Sequence, residues 1–160
     1  MTVDHVASPA EMRRVLGSFA TGVTVVTGDA DGQPVGFACQ SFASVSLEPP
    51  LVLFCPAHTS KSWPLIRTSG RFCVNVLAED QEDLCARFAT TGADKFADLT
   101  WHETPWGPSL DRVLSTVMCD IQDIHPSGDH DIVVGHVREL LLHREAPPLV
   151  FYRGTFGLEL

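Results

Sequence analysis

Residues 128–137, GDHDIVVGHV, begin with a turn and continue with apolar and polar residues in near alternation. Such alternation is typical of a half-buried β-strand. The strand begins with three consecutive polar groups, Asp129, His130 and Asp131, which resist burial unless they are paired or lie at an open site. The start of this strand is therefore either a set of paired charges or the edge of an open site.

Segments rich in Val, Phe, Ile and Thr, separated by Gly, Pro or Asp, recur along the whole chain. They predict strands in the majority and a mainly β, barrel-like fold. Strands and helices do not alternate regularly, as a doubly wound α/β fold would require. The predicted strand segments are GVTVVTG (22–28), PVGFACQSFASVSL (34–47), LVLFC (51–55), RFCVNVL (71–77), LSTVMCDIQDIH (114–125), DIVVGHVREL (131–140) and PLVFYRG (148–154).

A few short helices complete the predicted fold. SPAEMRRVLGSFA (8–20) begins with Ser8 as a candidate N-cap and Pro9 at the first helical position. HTSKSWPLIRTSG (58–70) and EDQEDLCARFA (79–89) also have helical character. In the first helix the apolar residues at helical spacing are Met12, Val15, Leu16 and Phe19.

Length and charge limit the possible classes of protein. The chain has 160 residues and is 44% hydrophobic, which predicts a single domain over residues 1–160 with a sizeable core. The chain contains 11 Lys and Arg residues and 20 Asp and Glu residues, which gives a formal net charge of −9. Because no basic run is interleaved with aromatic residues, we exclude nucleic acid as the main partner.

Targeting and cysteine patterns indicate an intracellular protein. No apolar stretch approaches the roughly 20 residues that span a bilayer, and MTVDHVASPAEMRR (1–14) has no apolar signal core. We therefore expect a soluble, cytoplasmic protein without a membrane partner. The five cysteines show no CxxC spacing and are expected to be small buried hydrophobes. The histidines share no metal-ligand spacing, so no metal site is expected.

The common nucleotide motifs are absent, since neither GxGxxG nor a Walker GK[ST] motif occurs. TSKSWP (59–64) offers another way to bind a phosphate. Thr59, Ser60 and Lys61 place hydroxyls, backbone N–H groups and one cation beside the start of a short helix. Ser62 can cap this helix, and Pro64 lies in its first turn. The alternative is an ordinary capped helix with a solvated lysine.

FACQSFASVSL (37–47) alternates less cleanly than a core strand and consists largely of small residues. Small side chains let a flat ligand lie close to the backbone while N–H and C=O groups bond to its polar edge. An isoalloxazine or pterin ring would suit such a wall. The alternative is a barrel strand with one face in water.

The order and spacing of several segments resemble those of the short-chain flavin reductase family. These segments are GSFATGVTVVT (17–27), GFACQSFASVSLEPPLVLFC (36–55), SKSW (60–63), SGRFCVNVL (69–77), RF and DKF (87–88 and 94–96), GDH (128–130) and PLVFYRG (148–154). Its members are the reductase components of two-component flavin-dependent monooxygenases. The resemblance implies a homodimeric, Greek-key split β-barrel that binds FMN or FAD and reduces it with NADH or NADPH. It also implies a partner monooxygenase, an aromatic hydroxylase, that receives the reduced flavin.

The resemblance also implies a set of site residues. The GDH histidine, His130, and the terminal-strand aromatic, Tyr152, lie on the nicotinamide side, and His130 is the candidate catalytic residue. Arg87 and Phe88, with Asp94, Lys95 and Phe96, are expected to close one side of the pocket, unless they only pack a helix end onto the barrel. Residues that match the flavin-contacting segments, with Cys55 assigned to the same site, are Ala38, Cys39, Gln40, Ser41, Ser44, Val45, Ser46, Cys55, Ser60, Lys61 and Ser62.

Three functions remain open from the sequence. The first is an NAD(P)H:flavin oxidoreductase that releases reduced flavin. The second is a flavin-binding module or sensor without turnover, and the third is a split-barrel enzyme that retains its flavin. Hydride transfer between two stacked rings needs placement and not an acid or base, which agrees with the lack of a Ser/His/Asp or Cys/His arrangement. For GDHD itself, the alternative to a site is a solvated acidic turn.

Overall fold

The computed structural model describes residues 6–92 and 94–158, so the first five and last two residues of the predicted domain lie outside the described residues. Strands predominate, which confirms the mainly β prediction. The helices are α1 (Pro9–Leu16), α2 (Trp63–Ser69) and α3 (Glu82–Ala89), the last preceded by a 3₁₀ turn at Glu79–Gln81. The strands are β1 (Thr21–Gly22), β2 (Thr24–Ala30), β3 (Gln33–Cys39), β4 (Ala43–Leu47), β5 (Pro50–Phe54), β6 (Arg71–Val76), β7 (Trp101–His102), β8 (Ser109–Leu110), β9 (Ser115–Ser127), β10 (His130–Leu142), β11 (Val150–Tyr152) and β12 (Thr155–Phe156).

Seven strands form one antiparallel sheet in the order β3-β2-β6-β9-β10-β5-β4. The edge strands β3 and β4 are joined by residues 40–42. In a flat sheet the two edges would lie about 29 Å apart, at about 4.8 Å per strand. The four Cα–Cα steps from Cys39 to Ala43 span at most about 14 Å. The sheet therefore curls until its edges approach each other, as in a barrel.

PVGFACQSFASVSL, predicted as a continuous strand segment, is two strands at opposite edges of this sheet. β3 pairs with β2, whereas β4 pairs with β5 after the chain turns at 40–42. Small polar residues around the turn tolerate both an extended and a bent backbone, so the pattern did not reveal the break. The first half and the second half of the predicted flavin wall therefore lie on different strands.

The core has two parts, one on each face of the sheet. Val26 and Val25 are neighbours on β2 and belong to different clusters, because successive residues of a strand point to opposite faces. In the first cluster, Phe54 packs edge to face on Phe72 and Trp63, with ring centroids 4.8 and 5.7 Å apart. This cluster includes residues of α2, and the second includes residues of α3. Both helices are thus anchored by buried apolar side chains.

Helix α1 begins as predicted. The Ser8 hydroxyl accepts a hydrogen bond from the Glu11 backbone N–H, and the Glu11 carboxylate accepts one from the Ser8 N–H. Its apolar face, however, is exposed among the residues that the structure describes. Phe19, just after the helix, is 77% exposed, and Met12, Val15 and Leu16 are also exposed. Within residues 6–92 and 94–158, no helix is long and apolar enough to cross a membrane.

Candidate flavin site

A large open cavity lies against β3, the loop after β5 and the start of β10. Its volume of about 890 Å³ lies near the upper end of the range for small-molecule sites. Ten of the residues predicted for the site line it: Ala38, Cys39, Gln40, Ser41, Cys55, Ser60, Lys61, Ser62, Phe88 and His130. The fold thus brings together residues separated by up to 92 positions, from Ala38 to His130.

The end of β3 forms one wall of the cavity. Ser41 ties this wall to the end of β5, because its hydroxyl accepts a hydrogen bond from the Cys55 N–H at 2.9 Å and donates one to the Cys55 carbonyl at 3.2 Å. The Cys39 sulfur lies 3.2 Å from the same hydroxyl. Burial raises the pKa of the Cys39 thiol, so this wall is uncharged at neutral pH. A neutral wall of small residues can accept a flat ring.

Ser44, Val45 and Ser46 do not line the cavity. They belong to β4, whose side chains are mostly exposed, and they lie beyond the turn at 40–42. Arg87 lines a smaller cavity of about 340 Å³ and donates a hydrogen bond to the Ala97 carbonyl. Tyr152 also lies outside the lining, where its neighbour Phe151 is found instead. The flavin-binding roles of these five residues stay predictions.

The segment 59–62 forms the second wall, beside α2. Ser62 precedes this helix and Pro64 lies in its first turn, as predicted, but the Ser62 hydroxyl donates to the Gly36 carbonyl at 3.1 Å instead of capping the helix. Ser60 supplies the bond to the helix, since its hydroxyl accepts from the Trp63 N–H at 3.2 Å. Lys61 lies between them and is exposed at the cavity. The segment therefore has a fixed backbone and a cation directed to solvent.

The third wall contains the DKF segment, which was expected to close the pocket. Asp94, Lys95 and Phe96 all line the cavity. The Lys95 ammonium donates to the Gly36 and Phe88 carbonyls at 3.1 and 3.0 Å. Partial burial lowers the pKa of Lys95. Because Gly36 also accepts from Ser62, a single carbonyl of β3 links the second wall to the third.

Sequence reasoning missed several apolar residues that complete the lining. Phe151 of β11 and Phe156 of β12 contact each other at a centroid distance of 5.3 Å and border the cavity. Pro34, Val35 and Phe37 extend the wall along β3. Nothing in their local sequence distinguishes them from core residues, because a cavity-lining aromatic and a core aromatic have the same pattern.

The three polar groups at the start of β10 divide between two faces. His130 is partly exposed at the cavity, and its Nδ1 lies 2.7 Å from the Asp129 carboxylate. The hydrogen bond from His130 lowers the pKa of Asp129. Asp131 points to the opposite face, is only 3% exposed and accepts hydrogen bonds from Trp63 and His58. The start of β10 therefore combines both alternatives, because His130 lies at the open cavity whereas Asp131 is buried and paired.

Acid should weaken the structure through Asp131. Hydrogen bonds from Trp63 and then His58 lower its folded-state pKa, so the stabilisation is present above the unfolded pKa of about 3.9 and is lost as pH falls through the lower folded pKa. We expect the thermal midpoint of the wild type to fall more steeply below about pH 4 than that of Asp131→Asn. Parallel midpoints in calorimetric scans from pH 6 downward would contradict this expectation.

The family model for the flavin reductase-like domain matches residues 16–158. A related protein, the reductase subunit HsaB of a flavin-dependent monooxygenase from Rhodococcus jostii, is 54% identical over 94% of this chain and 78% of its own length. Among solved structures, a homologue of nitrilotriacetate monooxygenase component B from Mycobacterium thermoresistibile has a TM-score of 0.89 at 50% identity, covering 92% of this chain and 84% of the other.

A second similar structure holds ligands. The NADH:FAD oxidoreductase SgcE6 from Streptomyces globisporus, in complex with NAD and FAD fragments, has a TM-score of 0.88 at 32% identity and covers 98% of this chain and 97% of the other. The family model spans most of the chain, so this protein belongs to the flavin reductase-like family. It has the split-barrel fold of that family and is an oxidoreductase that acts on flavin.

Proposed function

We propose that this protein reduces FMN or FAD with NADH or NADPH and releases the reduced flavin to a partner flavin-dependent monooxygenase. The observation that carries the proposal is the 890 Å³ cavity, which combines a neutral wall, a cation and a partly exposed histidine. The names of the relatives, HsaB and SgcE6, support the same activity. All five cysteines are free, as is usual in a reducing compartment, and we place the reaction in the cytoplasm.

The cavity residues fit a flavin by their chemistry. Ala38, Cys39, Gln40 and Ser41 would lie along the ring, where β3 is an edge strand and one side of its backbone lacks a strand partner. Ser60, Lys61 and Ser62 would bind the ribityl phosphate with hydroxyls and one cation. Cys55 and Phe88 would complete the ring site, and His130 would contact the nicotinamide.

The bound flavin supplies the chemistry, since it accepts a hydride from nicotinamide C4 without a proton from the protein. The protein's residues bind and orient the two rings, which must approach to about 3–3.5 Å. His130 is partly exposed at the cavity and pairs with Ala57, close in the chain to residues 59–62, so a second ring could dock beside it. No residue of the cavity needs to act as a general base.

Anaerobic assay with NADH or NADPH and added FMN or FAD tests the proposal. We expect the visible absorbance of oxidised flavin to disappear catalytically, at flavin concentrations well above that of the protein. Flavin that binds but is never reduced would favour the sensor. Flavin that stays with the protein during gel filtration, with turnover of some other acceptor, would favour the enzyme that retains its flavin.

We also propose that the protein is a homodimer. The exposed apolar face of α1 and the following residue Phe19 leave a hydrophobic surface that one chain does not cover. Leu140, Leu141 and Leu142 at the end of β10 are exposed as well. Exposed apolar surface of this kind marks an interface, and a second copy of the chain is the partner that the family resemblance suggests.

A dimer has a direct signature in solution. Light scattering at micromolar concentration should give twice the 17.4 kDa chain mass. Phe19→Glu places a charge on the exposed apolar face and should shift the mass toward one chain, while Gln122→Glu adds a charge to an exposed polar position and should leave it unchanged. Active wild-type protein with a mass of one chain would refute the dimer.

A further inference from the structure

The loop of residues 55–62 joins β5 to α2 and supplies most of one side of the cavity. Its first part is held to the start of β10 by the backbone. The Asp131 N–H donates to the Pro56 carbonyl at 3.0 Å, and the His58 N–H donates to the Asp129 carbonyl at 2.9 Å. Between these bonds Ala57 pairs with His130 as an isolated antiparallel bridge. The loop therefore begins as an extension of the barrel sheet.

The Asp131 side chain contacts the middle of this loop and the first residue after it. One carboxylate oxygen lies 2.9 Å from His58 Nε2, in the middle of the loop. The other accepts the Trp63 indole N–H at 2.8 Å, at the start of α2, with Arg67 Nη1 at 3.8 Å. An ionised carboxylate only accepts hydrogen bonds, so His58 Nε2 carries the hydrogen in this pair. The two oxygens of Asp131 thus hold the two residues that flank 59–62.

The backbone of residues 59–62, the segment proposed to bind the phosphate, is hydrogen-bonded to residues on both sides of it. The Ser60 hydroxyl accepts a hydrogen bond from the Trp63 backbone N–H. The Ser60 N–H donates to the carbonyl of Ala57, the residue before His58. Loss of the carboxylate would release the Trp63 ring and the His58 ring together and leave two buried or half-buried donors without their acceptor. The position of Lys61 relative to His130 would then lose the restraint that the Asp131 side chain provides through His58 and Trp63.

We propose that Asp131 is a positioning residue that holds the 55–62 loop and the adjacent His130 in one rigid arrangement, so that the phosphate-binding and nicotinamide-binding sides keep a fixed separation. Asp131 faces away from the cavity and contacts neither ligand; it acts through His58 and Trp63. This role rests on the proposed flavin reductase function.

The chain offers a matched control for a purely structural role. Asp120 in β9 also accepts an indole N–H, from Trp106 at 3.0 Å, and a cationic N–H, from Arg138 at 2.7 Å. It does not line the cavity. Replacing Asp120 therefore removes the same kind of interaction from a residue whose side-chain partners, Trp106 and Arg138, lie outside the 55–62 loop.

The experiment compares FMN with riboflavin, which lacks the phosphate, by fluorescence titration of Asp131→Ala, Asp131→Asn and Asp120→Ala. We expect Asp131→Ala to lose about fivefold more affinity for FMN than for riboflavin. Asp131→Asn keeps an acceptor for Trp63 and can donate to His58 Nε2 once His58 takes the tautomer with its hydrogen on Nδ1, so it should restore most of that preference. Asp120→Ala should lower the thermal midpoint while leaving both dissociation constants within about twofold of wild type.

Unchanged preference for FMN in Asp131→Ala, with a lowered thermal midpoint, would overturn the positioning role and leave Asp131 a structural residue. If Asp131→Ala does not fold, His58→Ala removes one arm of the contact at a half-exposed side chain and should show a smaller loss of the same preference. Full preference for FMN in His58→Ala would then overturn the role. Wild-type protein that binds neither flavin would instead refute the proposed function.

Discussion

Lys61→Glu is expected to weaken FMN binding about 50-fold and to leave riboflavin binding within about twofold of wild type. Lys61 is exposed at the cavity, between the fixed residues Ser60 and Ser62, so the substitution replaces an attractive charge by a repulsive one without disturbing the core. FAD, which carries a pyrophosphate, should lose affinity in the same direction. Fluorescence titration with the three flavins measures all of these effects.

Two variants separate the charge from the shape of the site. Lys61→Met removes the cation without adding repulsion and should lose less affinity for FMN than Lys61→Glu. Thr68→Glu adds a negative charge to the exposed face of α2, away from the cavity, and should change FMN binding little. The loss in Lys61→Glu should also shrink as salt is added. Equal losses for FMN and riboflavin would place the phosphate elsewhere.

His130→Ala is expected to lower kcat/KM for NADH or NADPH about tenfold, mostly through KM, while flavin affinity stays close to wild type. The ring is partly exposed at the cavity, and Asp129 holds its Nδ1. A contact from this ring to the nicotinamide carboxamide would form before hydride transfer, so its loss should raise KM more than it lowers kcat. Steady-state kinetics beside a flavin titration tests the assignment.

His125→Ala provides the matched control, because His125 lies on the neighbouring strand β9, is exposed and does not line the cavity. Its kinetics should equal those of wild type. Unchanged NAD(P)H kinetics in His130→Ala would leave His130 and Asp129 as a solvated turn without a role in nicotinamide binding. A loss of flavin affinity in the same variant would move His130 to the flavin wall.

Local sequence patterns predicted most of the secondary structure. The capped start of α1, the Pro64-containing α2 and the long strands β9 and β10 all follow from residues within a few positions of one another. The separation of β3 from β4 could not be predicted in this way. It depends on which strands pair, and β3 and β4 lie at opposite edges of a sheet whose order the alternation pattern does not encode.

In the site, too, features set by neighbouring residues could be predicted from the sequence, whereas contacts between residues far apart in the chain could not. The hydroxyls and cation of 59–62 were visible as a short motif, and the structure places them at the cavity. The partners of Asp131 were not visible, because His58 and Trp63 lie 73 and 68 positions away in the chain. The apolar spacing in α1 was visible in the sequence, but among the described residues this face is exposed, which local sequence could not show.

The opposite orientations of His130 and Asp131 restrict how the turn before β10 can change in length. Deleting Asp131 would move His130 and Asp129 one position along β10 and exchange the faces on which they lie. A histidine would then meet Trp63 and His58, and a carboxylate would face the cavity. We expect this deletion to be lost during evolution of the chain, because it would alter the cavity and the buried Asp131 contacts at the same time.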